Sequence, residues 1–90
     1  MKYIYYIYDK GVLIGTTTGC NVRALYDWIR DNLGWTSTNS GRGPNLGLPG
    51  TMKTGFIYGR TPEKEYAKLY YIRETLKSLN ERNKISYIKL

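Results

Sequence analysis

The chain has 90 residues, with 14 Lys and Arg against 7 Asp and Glu, a formal net charge of +7 and a pI of about 9.6. One cysteine and no histidine exclude an internal disulfide, a Cys/His zinc site and histidine-based acid-base or nucleophilic catalysis. This length predicts a single domain over residues 1–90, and the positive charge favours an anionic partner, with nucleic acid as the first candidate.

The first predicted element is a β-hairpin. Residues 3–8 contain only Tyr and Ile, which favour strands, and Asp9-Lys10-Gly11 predicts a tight turn in which Gly11 can take a left-handed conformation. The second strand is predicted from Val12 to Thr16. In the first strand, odd and even positions face opposite ways, so several tyrosines must reach solvent or a groove.

A helix is predicted next, from Val22 to Leu33, with Asn21 as its cap and Gly34 as its stop. Apolar residues recur at the spacing of one buried helix face, and both Arg23 and Arg30 lie off that face.

The segment from Asn32 to Pro62 contains no acidic residue and is rich in glycine. Its cations are Arg42, Lys53 and Arg60, and a short strand is predicted at Phe56-Ile57-Tyr58. An open basic backbone of this kind can lie against phosphates, although an ordinary surface loop has the same composition.

A second helix is predicted from Thr61-Pro62-Glu63 to about Arg82, because Leu69, Ile72, Leu76 and Leu79 repeat at helical spacing. Beside this stripe, Tyr66, Tyr70, Arg73 and Lys77 form a predicted ridge of phenols and cations. Residues 85–90 are predicted to form a closing strand. The predicted fold class is therefore α+β, with a small, mostly antiparallel sheet made of the N-terminal hairpin and a C-terminal strand, packed with two main helices.

The hairpin and the first helix together resemble the GIY-YIG nuclease family. Tyr3-Ile4-Tyr5 stands where the family has Gly-Ile-Tyr, and Leu13-Ile14-Gly15 stands where it has Tyr-Ile-Gly. Arg23 follows eight positions after Gly15, in the next helix, as the family's arginine does. The resemblance implies that Tyr5 and Arg23 act at a phosphate, where a guanidinium can donate in a forked geometry.

The resemblance extends to the predicted second helix, where the family carries a metal-binding glutamate. Ala67 and Asn83 fit the family's frame, but Tyr71 stands in the place of the glutamate. A phenol is a poor ligand for Mg²⁺ at neutral pH. The resemblance therefore implies a nucleic-acid-binding protein with impaired catalysis and no cofactor. The alternative is an active endonuclease in which Glu74, on nearly the same helical face as Tyr71, holds Mg²⁺.

Two further interpretations remain open at this stage. Residues 21–40 could form a helix-turn-helix, with a short second helix at Thr36 to Ser40, as in a DNA-binding regulator. Alternatively, a small basic protein of the phage or mobile-element type could inhibit a host protein by docking through exposed tyrosines.

The sequence thus predicts DNA as the favoured partner and no membrane partner, and the absence of a signal-like or membrane-spanning apolar stretch predicts a cytoplasmic location. The candidate catalytic residues are Tyr5, Arg23 and Glu74. The candidate nucleic-acid-binding residues are Arg23, Arg30, Arg42, Lys53, Arg60, Arg73 and Lys77.

Overall fold

The fold is an antiparallel sheet with helices, seen in a computed structural model that describes residues 1–36, 38–42 and 52–81. Along the chain the elements are β1 (Tyr3–Asp9), β2 (Val12–Gly19), α1 (Arg23–Leu33), β3 (Thr38–Arg42), β4 (Lys53–Gly59) and β5 (Ala67–Thr75), and residues 76–81 are helical. The strands form one sheet in the order β2-β1-β5-β4-β3, with all neighbours antiparallel. The predicted α+β class is confirmed.

The predicted hairpin is present as β1 and β2. Lys10 and Gly11 form its turn with φ of 50° and 83°, a left-handed conformation that glycine adopts without steric cost. Strand β2 continues to Gly19, beyond the predicted end at Thr16. A shift in pairing between Ile7 and Tyr8 marks a β-bulge, which increases the local twist of the hairpin.

Helix α1 lies directly on strand β2 because two glycines of that strand leave room for it. A Cβ atom at Gly15 would overlap the Trp28 ring, and one at Gly19 would overlap the Cβ of Ala24. The helix ends as predicted at Gly34, whose φ is 69° and whose N–H donates to the Arg30 carbonyl at 3.0 Å.

The predicted second helix is wrong over most of its length, because residues 67–75 form strand β5. This strand lies in the middle of the sheet and pairs with β1 on one side and β4 on the other. Its Tyr and Ile residues fit a sheet well, and pairing on both sides outweighs the weak helical spacing of its apolar residues. Within the described part of the predicted second helix, only residues 76–81 are helical. The predicted strand at 85–90 lies outside the described residues.

The glycine-rich segment supplies two strands. The predicted strand at Phe56-Ile57-Tyr58 is confirmed and extends over the whole of β4, and β3 pairs with it. Because Thr38–Arg42 is a strand, the second helix of a helix-turn-helix is absent and that interpretation is wrong.

The two faces of the sheet differ in what covers them. Helix α1 covers the face that we call the core face, where side chains of β1, β4 and β5 meet those of α1. The buried core consists of Tyr5, Ile7, Leu25, Ile29, Trp35, Ile57 and Leu69. We call the opposite face the open face, and it carries the alternate residues of the same strands. None of the helical segments in the described part of the chain has the length and apolar content that crossing a membrane requires.

Candidate functional site

Three tyrosines and an arginine form a cluster on the core face, at one end of the sheet. The ring centroids of Tyr3 and Tyr5 are 6.5 Å apart, and those of Tyr5 and Tyr71 are 6.0 Å apart. The guanidinium carbon of Arg73 lies 4.3 Å from the centroid of the Tyr3 ring. A cation held over an aromatic face is attracted by the ring electrons, so this contact fixes the position of the arginine.

Two polar atoms of this cluster are buried without a hydrogen-bond partner among the described residues, namely the Tyr5 hydroxyl and Nε of Arg73. Burial raises the pKa of the Tyr5 hydroxyl, and the nearby Arg73 guanidinium opposes that rise more weakly. The positive charge of Arg73 therefore favours the ionised form of the Tyr5 hydroxyl, although the two groups do not have the geometry of a regular hydrogen bond.

Arg73 also faces a second cation across the sheet. Lys53 on β4 lies directly opposite Arg73 on β5, and Tyr5 on β1 lies opposite Arg73 on its other side. Like charges in opposed positions of neighbouring strands repel each other. The salt bridges between described residues belong to Arg30, so no described carboxylate compensates the Lys53–Arg73 pair. An anion bound between the two would remove the repulsion.

More cations lie at the same end of the sheet because several elements begin or end there. Strands β1 and β4 begin at this end, and β2 and β5 finish there. The Leu76 N–H donates to the Lys2 carbonyl at 3.0 Å, which brings the start of the helical segment 76–81 to the start of β1. We call this region the basic end of the sheet, and its described cations are Lys2, Arg23, Lys53, Arg73 and Lys77.

Arg23 reaches the basic end because it is the first residue of α1. The next residue, Ala24, packs on Gly19, and Gly19 lies opposite Tyr3 in the sheet. The side-chain oxygen of Asn21 accepts the Arg23 N–H at 3.0 Å, but the N-cap position is Val22 and no side chain caps the helix, so the prediction that Asn21 is the cap is wrong. No acidic residue occupies the first turn. A cation there adds to the positive end of the helix dipole, which strengthens the field felt by an anion.

Two other predicted phosphate contacts lie away from the basic end. Arg30 is bound to Asp27 at 3.4 Å and to Asp31 at 3.2 Å, so its charge is already compensated. Arg60 follows β4 at the other end of the sheet and stacks on the Tyr66 ring at 5.6 Å. Arg42, in contrast, is the last residue of β3 and lies opposite Gly55, so its backbone lies towards the basic end, while its side chain lies outside the described part.

The three predicted catalytic residues do not come together. Tyr5 is 1% exposed on the core face, whereas Glu74 is 2% exposed and lies on the open face, where the Tyr6 hydroxyl donates to Glu74 Oε2 at 3.3 Å. The prediction that Glu74 shares a helical face with Tyr71 is wrong, because both belong to strand β5, in which residues three apart point to opposite faces. The Arg23 N–H donates to Asn21, whereas Glu74 accepts from Tyr6 on the other face.

The residues at the family's metal position do not fit Mg²⁺. Tyr71 presents a ring to Tyr5 and lies on a strand, and a phenol is a weak ligand for this hard cation. Among the residues that the structure describes, no three Asp, Glu, Cys or His side chains lie together.

The other end of the sheet differs in charge. A groove of about 630 Å³ opens there between the hairpin turn, the end of α1 and the segment that precedes β5. Its lining includes charged residues of both signs, namely Asp9, Lys10, Glu63, Lys64 and Lys68. Among the residues that the structure describes, the uncompensated positive charge is therefore greater at the basic end, and an anionic polymer would be steered there.

The sequence reasoning missed Lys2 and Tyr3 as parts of this site. Tyr3 supplies the ring under Arg73, and the period-two alternation of β1 already placed it on the same face as Tyr5. Arg73 lies next to β1 only because residues 67–75 form a strand, which the sequence had predicted as a helix.

Comparison of the chain with protein-family models, with curated proteins and with solved structures gives no match.

Proposed function

We propose that the protein binds nucleic acid through its phosphate backbone, at the basic end of the sheet. The observation that carries this proposal is the opposed pair of Lys53 and Arg73, two neighbouring cations that no described carboxylate compensates. Arg73 is half-buried, and a half-buried charge without a counter-ion costs more than an exposed one. A phosphate supplies the missing negative charge and matches the forked donors of a guanidinium.

The extent of the basic end favours a polymer over a single small anion. Its cations lie at or next to the ends of three strands and two helical segments, in a sheet whose neighbouring strands are about 4.8 Å apart. The span from β4 to β2 is therefore roughly 14 Å, and at about 3.4 Å per phosphate along one strand of a duplex it faces several phosphates. DNA is the form that we propose first, in agreement with the charge of the chain.

We propose binding without metal-dependent cleavage. Support comes from the separation of Tyr5 and Glu74 on opposite faces of the sheet and from the phenol at the metal position. The resemblance to the GIY-YIG nucleases remains a prediction, carried by the hairpin and by Arg23 on the following helix. The proposal includes a reducing cytoplasmic location, which the exposed free thiol of Cys20 favours.

Binding is tested with a labelled duplex over a series of salt concentrations. Each lost phosphate contact lowers the slope of log K against log salt by about 0.9. Arg73→Gln and Lys53→Gln are each expected to lower it by that amount, whereas Arg30→Gln is the matched control, because Arg30 is already paired with Asp27 and Asp31. Equal slopes for all three variants would contradict the proposed interface.

Cleavage is tested with supercoiled plasmid and Mg²⁺. No cutting by the wild-type chain is expected. Cutting that disappears in Glu74→Gln would show that the carboxylate on the open face is catalytic, against the proposal.

A second candidate function is docking on another protein, as in the inhibitor interpretation. It is favoured by three consecutive apolar residues on the edge strand β2, Val12, Leu13 and Ile14, which are 64%, 50% and 38% exposed. An exposed apolar edge is a common protein-binding surface. This candidate becomes the leading one if the chain binds neither DNA nor RNA at low salt.

A further inference from the structure

A row of aromatic side chains crosses the open face, away from the basic end. Tyr70 on β5 lies opposite Tyr8 on β1 and also opposite Phe56 on β4, so the three residues occupy neighbouring positions on three adjacent strands. Tyr58 follows on β4, with its ring centroid 5.0 Å from that of Phe56 in an edge-to-face arrangement. The four aromatic residues therefore lie at neighbouring positions of one face, and the rings of Phe56 and Tyr58 are in contact.

A lysine lies in the middle of this surface. Lys68 Nζ is 4.6 Å from the ring centroid of Phe56, 4.9 Å from that of Tyr70 and 5.5 Å from that of Tyr58. Lys68 itself is exposed. We call Tyr8, Phe56, Tyr58, Lys68 and Tyr70 the aromatic platform.

The platform is not part of the core of the described chain. Tyr58 and Tyr70 are 39% and 40% exposed, while the buried core lies on the other side of the sheet. Tyr8 and Phe56 are partly buried, so the rings of Tyr58 and Tyr70 offer most of the accessible aromatic surface of the platform. Such an arrangement points to a flat ligand that stacks on the rings.

We propose that the aromatic platform binds unpaired bases of a single-stranded nucleic acid. Every base has a flat face that can stack on Tyr or Phe, and antiparallel sheets with exposed aromatics hold two or three unstacked bases in this way. The Lys68 ammonium supplies a positive charge for the phosphates that link those bases. A protein partner fits less well, because lysine is depleted from the centres of protein interfaces.

This inference goes beyond the proposed backbone binding and is tested separately from it. Lys53 and Arg73 of the basic end lie on the core face, whereas the platform lies on the open face, so the two sites can be changed by separate substitutions. Backbone contacts depend steeply on salt, and stacking contacts do not. Single strands use the platform, and a duplex, whose bases are already stacked on each other, does not.

The test compares a fluorescently labelled oligo-dT of about ten nucleotides with a duplex of the same length; OB-fold domains cover about 4–16 nucleotides of a single strand. The variants are Phe56→Leu and Tyr70→Leu, which remove a ring and keep an apolar side chain. Tyr70→Phe keeps the ring and serves as the conservative variant. Tyr66→Leu is the matched control, because Tyr66 is 63% exposed and lies outside the platform. Circular dichroism confirms that each variant is folded.

Phe56→Leu and Tyr70→Leu are each expected to weaken oligo-dT binding by about 5- to 150-fold at unchanged salt slope, and to leave duplex binding within about twofold. Tyr70→Phe and Tyr66→Leu should match the wild type. Wild-type affinity in both leucine variants would overturn the inference, and so would equal losses for duplex and single strand. If the chain binds the duplex but not oligo-dT, the platform inference fails while the proposed function stands. A different result would separate the two proposals in the opposite way. If oligo-dT binds and Phe56→Leu and Tyr70→Leu weaken it, while Arg73→Gln leaves the salt slope of duplex binding unchanged, the platform inference is supported and the proposed function is contradicted.

Discussion

Replacing Lys53 with Glu is expected to stabilise the fold and to weaken nucleic-acid binding, and both effects arise from one cross-strand pair. Lys53 lies directly opposite Arg73 on the neighbouring strand. In the native chain the two cations repel each other, whereas a carboxylate at position 53 would attract the guanidinium. If Lys53 served only to stabilise the fold, its replacement by Glu would not raise stability and weaken binding at the same time.

The size of the stability change follows from the geometry of the pair. Opposed charges on neighbouring strands contribute about 0.2–1 kcal/mol, and like charges cost a similar amount. Removing the repulsion and adding an attraction should therefore raise the free energy of unfolding by about 1 kcal/mol. For a domain of this length, that change raises Tm by about 4–8 °C. Because Lys53 is exposed, salt screens its interaction with Arg73, and we expect a rise in Tm in the lower part of this range.

Two assays measure the opposite effects on the same preparation. Thermal unfolding followed by circular dichroism gives the change in Tm. Fluorescence anisotropy with a labelled duplex over a series of salt concentrations gives the affinity and its slope. The slope should fall by at least about 0.9, because one phosphate contact is lost and a negative charge now faces the backbone.

Two control variants make the reasoning refutable. Lys53→Gln removes the repulsion without adding an attraction, so it should give about half of the gain in stability. In an Arg73→Gln background, Lys53→Glu should give almost none. A lower Tm for Lys53→Glu, or an equal gain in the Arg73→Gln background, would refute the pairing. Unchanged binding would refute the interface.

Three further predictions concern the packing and the charges around the site. Gly15→Ala should lower the free energy of unfolding by about 1–3 kcal/mol in urea titrations, because the new Cβ overlaps the Trp28 ring, and a smaller residue at position 28 should recover part of that loss. Tyr5→Phe should raise stability by about 1 kcal/mol, since it removes a buried hydroxyl without a described partner, and it should leave duplex binding unchanged. Because the pKa of Tyr5 is raised in the folded state, the unfolded chain loses the phenol proton at a lower pH than the folded chain does. The free energy of unfolding should therefore fall as the pH rises past 10.0. Tyr5→Phe should reduce this fall, whereas the control Tyr66→Phe, at an exposed position, should not. Arg23→Glu should weaken duplex binding and yet raise Tm slightly, because an acid at the start of α1 favours the helix dipole; a loss of stability would show that Arg23 has a structural role instead.

The hairpin and the first helix were predictable because their signals are local. The turn at Gly11 and the stop at Gly34 depend on glycine, which adopts a left-handed backbone without steric cost. Strand β5 was not predictable in this way. Its apolar residues fit a helical spacing and a period-two alternation equally, and the choice between them depends on pairing with β1 and β4, which are distant in sequence.

The composition of the candidate site was partly predictable and its geometry was not. The family resemblance named Arg23, the acid-free segment named Lys53, and the predicted helical ridge named Arg73 and Lys77. The ridge itself is wrong because Tyr70 and Arg73 lie on opposite faces of β5, but the structure places the four cations at one end of the sheet. The sequence could not show that Arg30 would be neutralised by its neighbours, although the acids at positions 27 and 31 were a signal for it. The order of the strands in the sheet decides which strand ends lie side by side, and local sequence signals do not determine that order.

The most direct measurement of the central claim is an NMR titration of the ¹⁵N-labelled chain with a short DNA duplex. The account predicts that the largest amide shifts occur at the basic end, around Lys2, Arg23, Lys53, Arg73 and Lys77, and that the groove at the other end, around Lys10 and Lys64, is unaffected. Shifts concentrated around that groove, or an absence of shifts at low salt, would contradict the claim that the basic end of the sheet binds nucleic acid.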